Sequence, residues 1–95
     1  MIYVKGKKMT QVAFKKITKQ WVALSDLITV EPETVYYIQN RGDKILYACE
    51  GLEKPKNDEG IKVPSCEVLM YKKGAQTLYL RAYEDDSPIN ISSEG

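Results

Sequence analysis

The sequence contains no histidine and only two cysteines among its 95 residues. Histidine is the usual general base of enzymes and the commonest metal ligand, so its absence removes the usual activator of a serine or cysteine nucleophile. Two cysteines, Cys49 and Cys66, are too few for a structural zinc site. The glycines stand singly, so no glycine-rich phosphate-binding loop is present. We therefore expect a protein that is not an enzyme and that binds no metal and no cofactor.

Long apolar runs are missing as well. The uninterrupted hydrophobic runs span only a few residues, so the sequence predicts neither a membrane-spanning helix nor a signal peptide. Synthesis in the cytoplasm, with reduced cysteines, is the expectation that follows.

Each end of the chain lacks charge of one sign. Residues 1–25 carry six lysines and no acid, whereas residues 84–95 carry four acids and no base. A basic segment can bind a complementary surface, so four of the lysines are candidate partner contacts: Lys7, Lys8, Lys15 and Lys16. Arginine, which stacks and forks onto phosphates, does not occur in the basic segment. Nucleic acid is therefore not the expected partner.

Residues 35–50 carry the clearest strand signals. Two runs of Tyr, Val, Ile and Leu flank the polar tetrapeptide Asn-Arg-Gly-Asp at residues 40–43. β-Branched and aromatic residues favour the pleated surface of a strand, and Asn, Gly and Asp suit a tight reversal. The stretch predicts a β-hairpin or a short connection between two strands.

Residues 77–83 alternate in the manner of a half-buried strand. The alternation places Leu78, Leu80 and Ala82 toward a core. It places Tyr79, Arg81 and Tyr83 outward, and with Tyr36 and Tyr71 these residues predict an exposed aromatic face. Tyr and Arg are enriched in protein interfaces and sugar-binding surfaces, so Tyr36, Tyr79, Arg81 and Tyr83 are candidate partner contacts. Ordinary cross-strand pairing on a half-exposed sheet is the alternative.

Further short strands are predicted along the chain, at residues 1–4, 21–24, 27–30, 61–63, 66–71 and 89–92. Residues 9–20 fit both a helix and an edge strand, and residues 51–60 have the composition of a loop. Turn signals recur about every 8–12 residues, a spacing typical of an all-β protein. We therefore predict a single small antiparallel β-sandwich or barrel, jelly-roll-like, with roughly seven or eight short strands. Residues 1–20 would form a basic N-terminal arm or edge strand, and residues 21–95 the sandwich.

Three phrases occur together in a familiar order: WVALSD at residues 21–26, TVYYIQNRG at 34–42 and TLYLRA at 77–82. As a set they resemble the strands of small virion proteins of tailed bacteriophages and prophages, of the head-decoration, head-fibre or tail-accessory kind. The resemblance covers about residues 21–82 and brings no catalytic residue with it.

The resemblance implies a non-enzymatic structural subunit that acts through protein–protein contacts. Such a subunit is made in the bacterial host cytoplasm, is located in the virion, often forms a homotrimer and contacts other virion proteins. The residues themselves leave one alternative open, a small β-barrel module that binds single-stranded nucleic acid or a glycan through aromatic and basic side chains.

Overall fold

The computed structural model describes residues 2–4, 6–56 and 60–94. Their order is β1 (Ile2–Val4), β2 (Lys7–Ile17), β3 (Val22–Ala23), α1 (Leu24–Leu27), β4 (Val35–Asn40), β5 (Leu46–Gly51), β6 (Ile61–Val63), β7 (Val68–Lys72), β8 (Thr77–Ala82) and β9 (Ser87–Glu94). The described residues thus form nine strands, slightly more than predicted. Among them no helix is long or apolar enough to cross a membrane.

The strands form two antiparallel sheets. The five-stranded sheet has the order β1-β2-β9-β4-β7, and the four-stranded sheet has the order β3-β8-β5-β6. Each sheet turns its apolar face toward the other, so the prediction of a small all-β sandwich is confirmed.

The core lies between the two inner faces. Strand β8 places Leu78, Leu80 and Ala82 there, as its alternating sequence predicts. Ile38 of β4 and Ile91 of β9 meet them from the five-stranded sheet, and both side chains are fully buried. Burying such residues removes their apolar surface from water, which is the main favourable contribution to folding.

The hairpin alternative for residues 35–50 is wrong, and the short connection is what the structure contains. Strand β4 belongs to the five-stranded sheet and β5 to the four-stranded sheet, so residues 41–45 cross from one sheet to the other. Strand β4 pairs with β9 on one side and with β7 on the other. Both of its edges are therefore occupied, and the next strand along the chain has to pair elsewhere.

The region from residue 21 to residue 30 also differs from its prediction. Strand β3 is only two residues long. The strand predicted over residues 21–24 is followed at its last residue by one helical turn, α1. The amide of Ile28 donates to the carbonyl of Leu24 at 3.0 Å and closes this turn. No strand forms over residues 27–30. The apolar residues on either side of Ser25 and Asp26 pack at the end of the core without forming strand pairs. Leu24 is almost fully buried there.

Within the N-terminal segment, residues 2–4 and 7–17 belong to the five-stranded sheet. Of the two alternatives for residues 9–20, the strand is correct, since β2 runs from Lys7 to Ile17 and pairs with β9 along most of its length. Strand β1 lies at the edge of the sheet, and β2 is the second strand in. Ile17 is fully buried in the common core.

The remaining predictions hold in outline. Strand β6 lies at the edge of its sheet, as expected for the short run before Pro64. Strand β7 begins at Val68, two residues after the predicted start, because Cys66 adopts a left-handed backbone with a φ of 70°. Residues 57–59 of the predicted loop lie outside the described residues.

Candidate interaction face

The outer face of the five-stranded sheet points away from the core. In an antiparallel sheet, residues directly opposite one another project from the same face. One outward row across β2, β9, β4 and β7 consists of Gln11, Ser92, Tyr37 and Met70. The neighbouring row consists of Phe14, Asn90, Gln39 and Val68. We call these two rows the amide face.

Apolar side chains lie at three of the four row ends, Gln11 lies at the fourth, and the centre is made of uncharged side chains. Phe14, Val68 and Met70 are 61%, 51% and 66% exposed, which is high for residues of this size. A groove of about 360 Å³ runs over the rows, and Ile2 and Met9 contribute to its wall on the β1–β2 side. Exposed apolar side chains that lie together along a groove are typical of a surface that another molecule covers.

Hydrogen bonds fix the polar side chains of the amide face. The amide nitrogen of Gln11 donates to Oδ1 of Asn90 at 2.6 Å, and Nδ2 of Asn90 donates to the hydroxyl of Ser92 at 3.3 Å. Nε2 of Gln39 donates to the carbonyl of Cys66 at 3.3 Å. These contacts order the centre of the face before any partner binds. Binding therefore loses less side-chain conformational entropy.

At one corner of this outer face, the carboxylate of Glu94 is paired with two neighbouring side chains. Tyr37 donates its hydroxyl to Glu94 at 2.5 Å, and the ammonium group of Lys7 lies 3.3 Å from the same carboxylate. The hydrogen bond from Tyr37, followed by the contact with Lys7, lowers the pKa of Glu94 below its ordinary value of 4.5. The same hydrogen bond raises the pKa of Tyr37 above 10.0. The three side chains tie β4, β9 and β2 together.

The predicted outward row of β8 lies on the other side of the sandwich. The guanidinium carbon of Arg81 lies 5.7 Å from the centre of the Trp21 ring and 5.0 Å from that of Tyr47. Tyr83 packs edge-on against Tyr47 with ring centres 5.8 Å apart. Arg81 also donates to the backbone carbonyl of Lys19 at 3.2 Å. The Arg81 side chain therefore contacts other residues of the same chain. This is the cross-strand pairing that the sequence left open as the alternative to an exposed row of partner contacts.

Tyr79 is half-buried in the centre of the same sheet, opposite Ala23 and Cys49. Tyr36 is not on an exposed face, and its inclusion there was wrong. It is 2% exposed and Tyr71 is 5% exposed, because both point between the sheets. The hydroxyl of Tyr36 accepts a hydrogen bond from the amide of Glu31 at 2.8 Å. Its role is to hold the loop before β4.

The structure brings the basic and acidic segments together. Lys16 of β2 lies opposite Pro88, which follows the acidic turn at residues 84–86 by two positions. Lys7, at the other end of β2, pairs with Glu94. Lys8, Lys15 and Lys16 remain exposed. The ion pair between Lys7 and Glu94 thus offsets one charge of the basic segment.

The amide face was missed at the level of sequence. The alternation of residues 35–40 does place Tyr37 and Gln39 on one side, opposite Tyr36 and Ile38. Nothing local to the sequence shows that Gln11 and Asn90, 79 positions apart, are neighbours. Only the pairing of β2 with β9 shows this.

Among the described residues, no cluster of three or more acidic or cysteine side chains could hold a metal ion. Comparison with known proteins gives no match to a protein-family model, to a curated protein or to a solved structure.

Proposed function

We propose that the protein is a non-enzymatic structural subunit of a tailed-phage virion, as a capsid-decoration, head-fibre or tail-accessory protein. It joins its assembly through protein–protein contacts made by the amide face. The observation that carries the contact role is the exposure of Phe14, Val68 and Met70 around an uncharged, ordered centre. The virion setting is taken from the resemblance of residues 21–82 to such proteins.

The physical properties of the amide face support a protein partner. Interfaces between proteins are depleted in charge at their centres and enriched in aromatic residues and methionine. Phe14, Tyr37 and Met70 match this composition, and the two rows contain no charged side chain. Covering Met70 and Phe14 would remove apolar area from water, which favours association at about 25 cal/mol per Å².

The test is to find the protein in particles. Phage particles are induced from the organism that encodes the chain and purified by density gradient. The chain is then quantified against the major capsid protein by mass spectrometry. We expect a fixed ratio for the native chain. We expect a several-fold lower ratio for Met70→Ser, because this change removes an apolar contact from the amide face.

Leu52→Ser is the matched control. Leu52 is 78% exposed and lies in the loop after β5, outside the amide face, so its variant should enter particles like the native chain. A chain found only in the soluble fraction would refute the virion role. Equal loss for Leu52→Ser and Met70→Ser would refute the role of the amide face.

A glycan-binding module is the second candidate function. The amides of Gln11, Gln39 and Asn90 can pair with hydroxyl groups, and Tyr37 supplies an aromatic ring beside them. Calorimetric titration with cello- and chito-oligosaccharides tests this candidate. The nucleic-acid form of the module has less support, because the basic segment contains no arginine and Lys7 is paired with Glu94.

A further inference from the structure

We infer that the outer edge of strand β7 pairs with the same edge of a second copy of this chain, which joins two five-stranded sheets into one continuous antiparallel sheet. The inference concerns the edge of the sheet, whereas the proposed function uses its outer face, so it goes beyond that proposal. The two-fold axis is perpendicular to the sheet and passes beside Met70. Because such a contact is isologous, it closes on itself and gives a dimer.

Strand β7 has one row of backbone groups that point away from its sheet. The carbonyl of Glu67, just before β7, accepts a hydrogen bond from the amide of Asn40 in β4 at 3.0 Å. Successive residues of a strand direct their backbone groups to opposite sides, so Leu69 and Tyr71 also direct theirs toward β4. The residues whose backbone groups point outward are Val68, Met70 and Lys72. Within the described residues β7 pairs only with β4, and a polypeptide strand is the partner that can use both outward donors and outward acceptors.

Strand β7 is also the edge that is most suited to pairing. Among the described residues the edge strands are β1, β3, β6 and β7, and β7 is the longest, with five residues against three, two and three. Proteins commonly protect an edge by keeping it short or by placing a proline, a bulge or a charge on it. Strand β6 is short and has Lys62 at its centre. Strand β7 has Met70 at its centre, keeps a continuous register with β4 and carries its one charged residue, Lys72, at its end.

The second sheet leaves room for a partner at this edge. Nδ2 of Asn40, in β4, donates to the carbonyl of Val63, in β6, at 2.8 Å. The edge strand of the four-stranded sheet therefore lies over β4 at this end, and β7 lies one strand further out. A cleft of about 240 Å³ lies beside β7, next to Leu69 and Met70. A strand added to β7 thus continues the five-stranded sheet beyond the edge of the four-stranded one.

The outward row of β7 is complementary to itself in the antiparallel direction. With Met70 opposite Met70 of the second copy, Val68 lies opposite Lys72 of the other chain. These are the residues with outward backbone groups, so every opposite pair among them can exchange two hydrogen bonds. Sliding the two strands by two residues would leave one outward residue of each chain unpaired. The register centred on Met70 is therefore the one that uses the whole row.

The charges at the ends of β7 fit the same register. Glu67 precedes the strand and Lys73 follows it, and both are exposed. In the register centred on Met70, Glu67 lies opposite Lys73 of the second copy, and the two-fold axis repeats this pair at the other end. Opposite charges across a strand pair stabilise it, and like charges destabilise it. Lys72 lies 3.4 Å from Glu33 of its own chain and is already paired. A strand with this order of charges read backwards fits the edge, and a second copy supplies it.

The experiment is sedimentation equilibrium of the whole chain from about 5 μM to about 1 mM, since a contact of this size is weak. The mass should rise from 10.8 kDa toward twice that value. Lys73→Glu and Glu67→Lys should each weaken the dimer several-fold, because each places like charges opposite one another. The double variant should recover the native affinity, because it restores opposite charges in the reversed order.

Lys8→Glu is the matched control. It makes the same charge change as Lys73→Glu, but Lys8 lies opposite Tyr3 of β1, at the other edge of the five-stranded sheet. The dimer of this variant should have the native affinity. All the substituted side chains are exposed, so the variants should fold, and urea unfolding checks this.

Amide hydrogen exchange, followed by NMR on the same samples, locates the contact. The N–H groups of Val68, Met70 and Lys72 should exchange more slowly as the dimer forms, because each becomes a donor to the second copy. The N–H groups of Leu69 and Tyr71 face β4 and should be protected at every concentration.

A mass of 10.8 kDa at every concentration, or a mass of three chains or more, would overturn the inference. So would a dimer in which the three outward amides stay unprotected, because its contact would lie elsewhere. A dimer that the single charge variants leave unchanged, or that the double variant fails to restore, would overturn the register and with it the argument for a second copy.

The two proposals fail separately. A chain that stays monomeric and still enters particles would refute the dimer and leave the virion role standing. A dimer that is absent from particles would refute the virion role and leave the dimer standing.

Discussion

Replacing Asn40 by alanine should cost a large part of the stability of this fold. Asn40 is fully buried, and all four hydrogen-bonding positions of its amide are used. Its nitrogen donates to the carbonyls of Lys44 and Val63, both at 2.8 Å. Its oxygen accepts from the amide of Gly42 and the hydroxyl of Ser87, both at 3.0 Å. One side chain thus joins β4, the connection to β5, strand β6 and the start of β9.

The magnitude follows from the number of bonds. A hydrogen bond in a folded protein contributes about 1 kcal/mol net, and neighbouring bonds are not fully additive. Four bonds therefore give about 3–4 kcal/mol for Asn40→Ala. A chain of this length has a total stability of about 5–14 kcal/mol. Ser87→Ala removes one of the four bonds and should cost about 1 kcal/mol.

The assay is urea unfolding followed by Trp21 fluorescence, since Trp21 is 8% exposed and becomes hydrated on unfolding. If Asn40→Ala costs less than about 1 kcal/mol, or no more than Ser87→Ala, the buried amide does not join the two sheets as argued.

Asn40→Asp tests the direction in which stability changes with pH. A buried carboxylate facing two carbonyl oxygens has a raised pKa. A group whose folded pKa is raised stabilises the fold at low pH, and that contribution is lost as the pH rises through the folded pKa. Relative to the native chain at the same pH, Asn40→Asp should therefore be less destabilised near pH 4 than near pH 7, given an ordinary Asp pKa of about 3.9. Equal destabilisation at both pH values would contradict this.

Three further predictions concern other contacts. A Cβ on Gly42 would lie 2.4 Å from the hydroxyl of Ser87, so Gly42→Ala should cost about 1–3 kcal/mol by urea unfolding. Gly74→Ala, where a Cβ meets nothing within 4 Å, should cost far less, and equal costs would contradict the packing argument. Arg81→Met should cost about 1–2 kcal/mol and alter the emission of Trp21, because the cation–π contacts are lost; unchanged emission and stability would refute their role. The pKa of Glu94 is lowered in the fold, so its contribution is present above pH 4.5 and is lost as the pH falls through the folded pKa. Stability should therefore decrease in that acid range, and an equally steep decrease in Glu94→Gln would show that another group causes it.

Much of the fold could be predicted from local patterns. The alternation of residues 77–83 assigned Leu78, Leu80 and Ala82 to the core correctly, because side chains on a strand alternate between two faces. The scattered short strands and turn signals likewise predicted an all-β sandwich. Tyr36 shows the limit of this reasoning. A tyrosine suggested an exposed aromatic face, but the position of Tyr36 in β4 determines which way its side chain points. The side chain points into the core.

Which strands pair was not accessible from local patterns. Residues 35–50 have the composition of a hairpin, yet β4 and β5 lie in different sheets. The reason is that β4 pairs with β9 and β7, which lie far along the chain, and the competition between local and distant partners is decided by packing of the whole core. The basic character of the first residues was evident from composition. The ion pair between Lys7 and Glu94 depends on the same distant pairing of β2 with β9.

The sequence by itself determined the all-β class, the alternation of the central strands and the absence of histidine chemistry, since these follow from residue types and from a period of two along each strand. The amide face was decided by tertiary structure alone. Gln11, Asn90 and Gln39 become neighbours only because β9, the last strand of the chain, inserts between β2 and β4. The physical reason is that a side chain's face is set locally, whereas its neighbours across a sheet are set by whichever strand arrangement buries the common core.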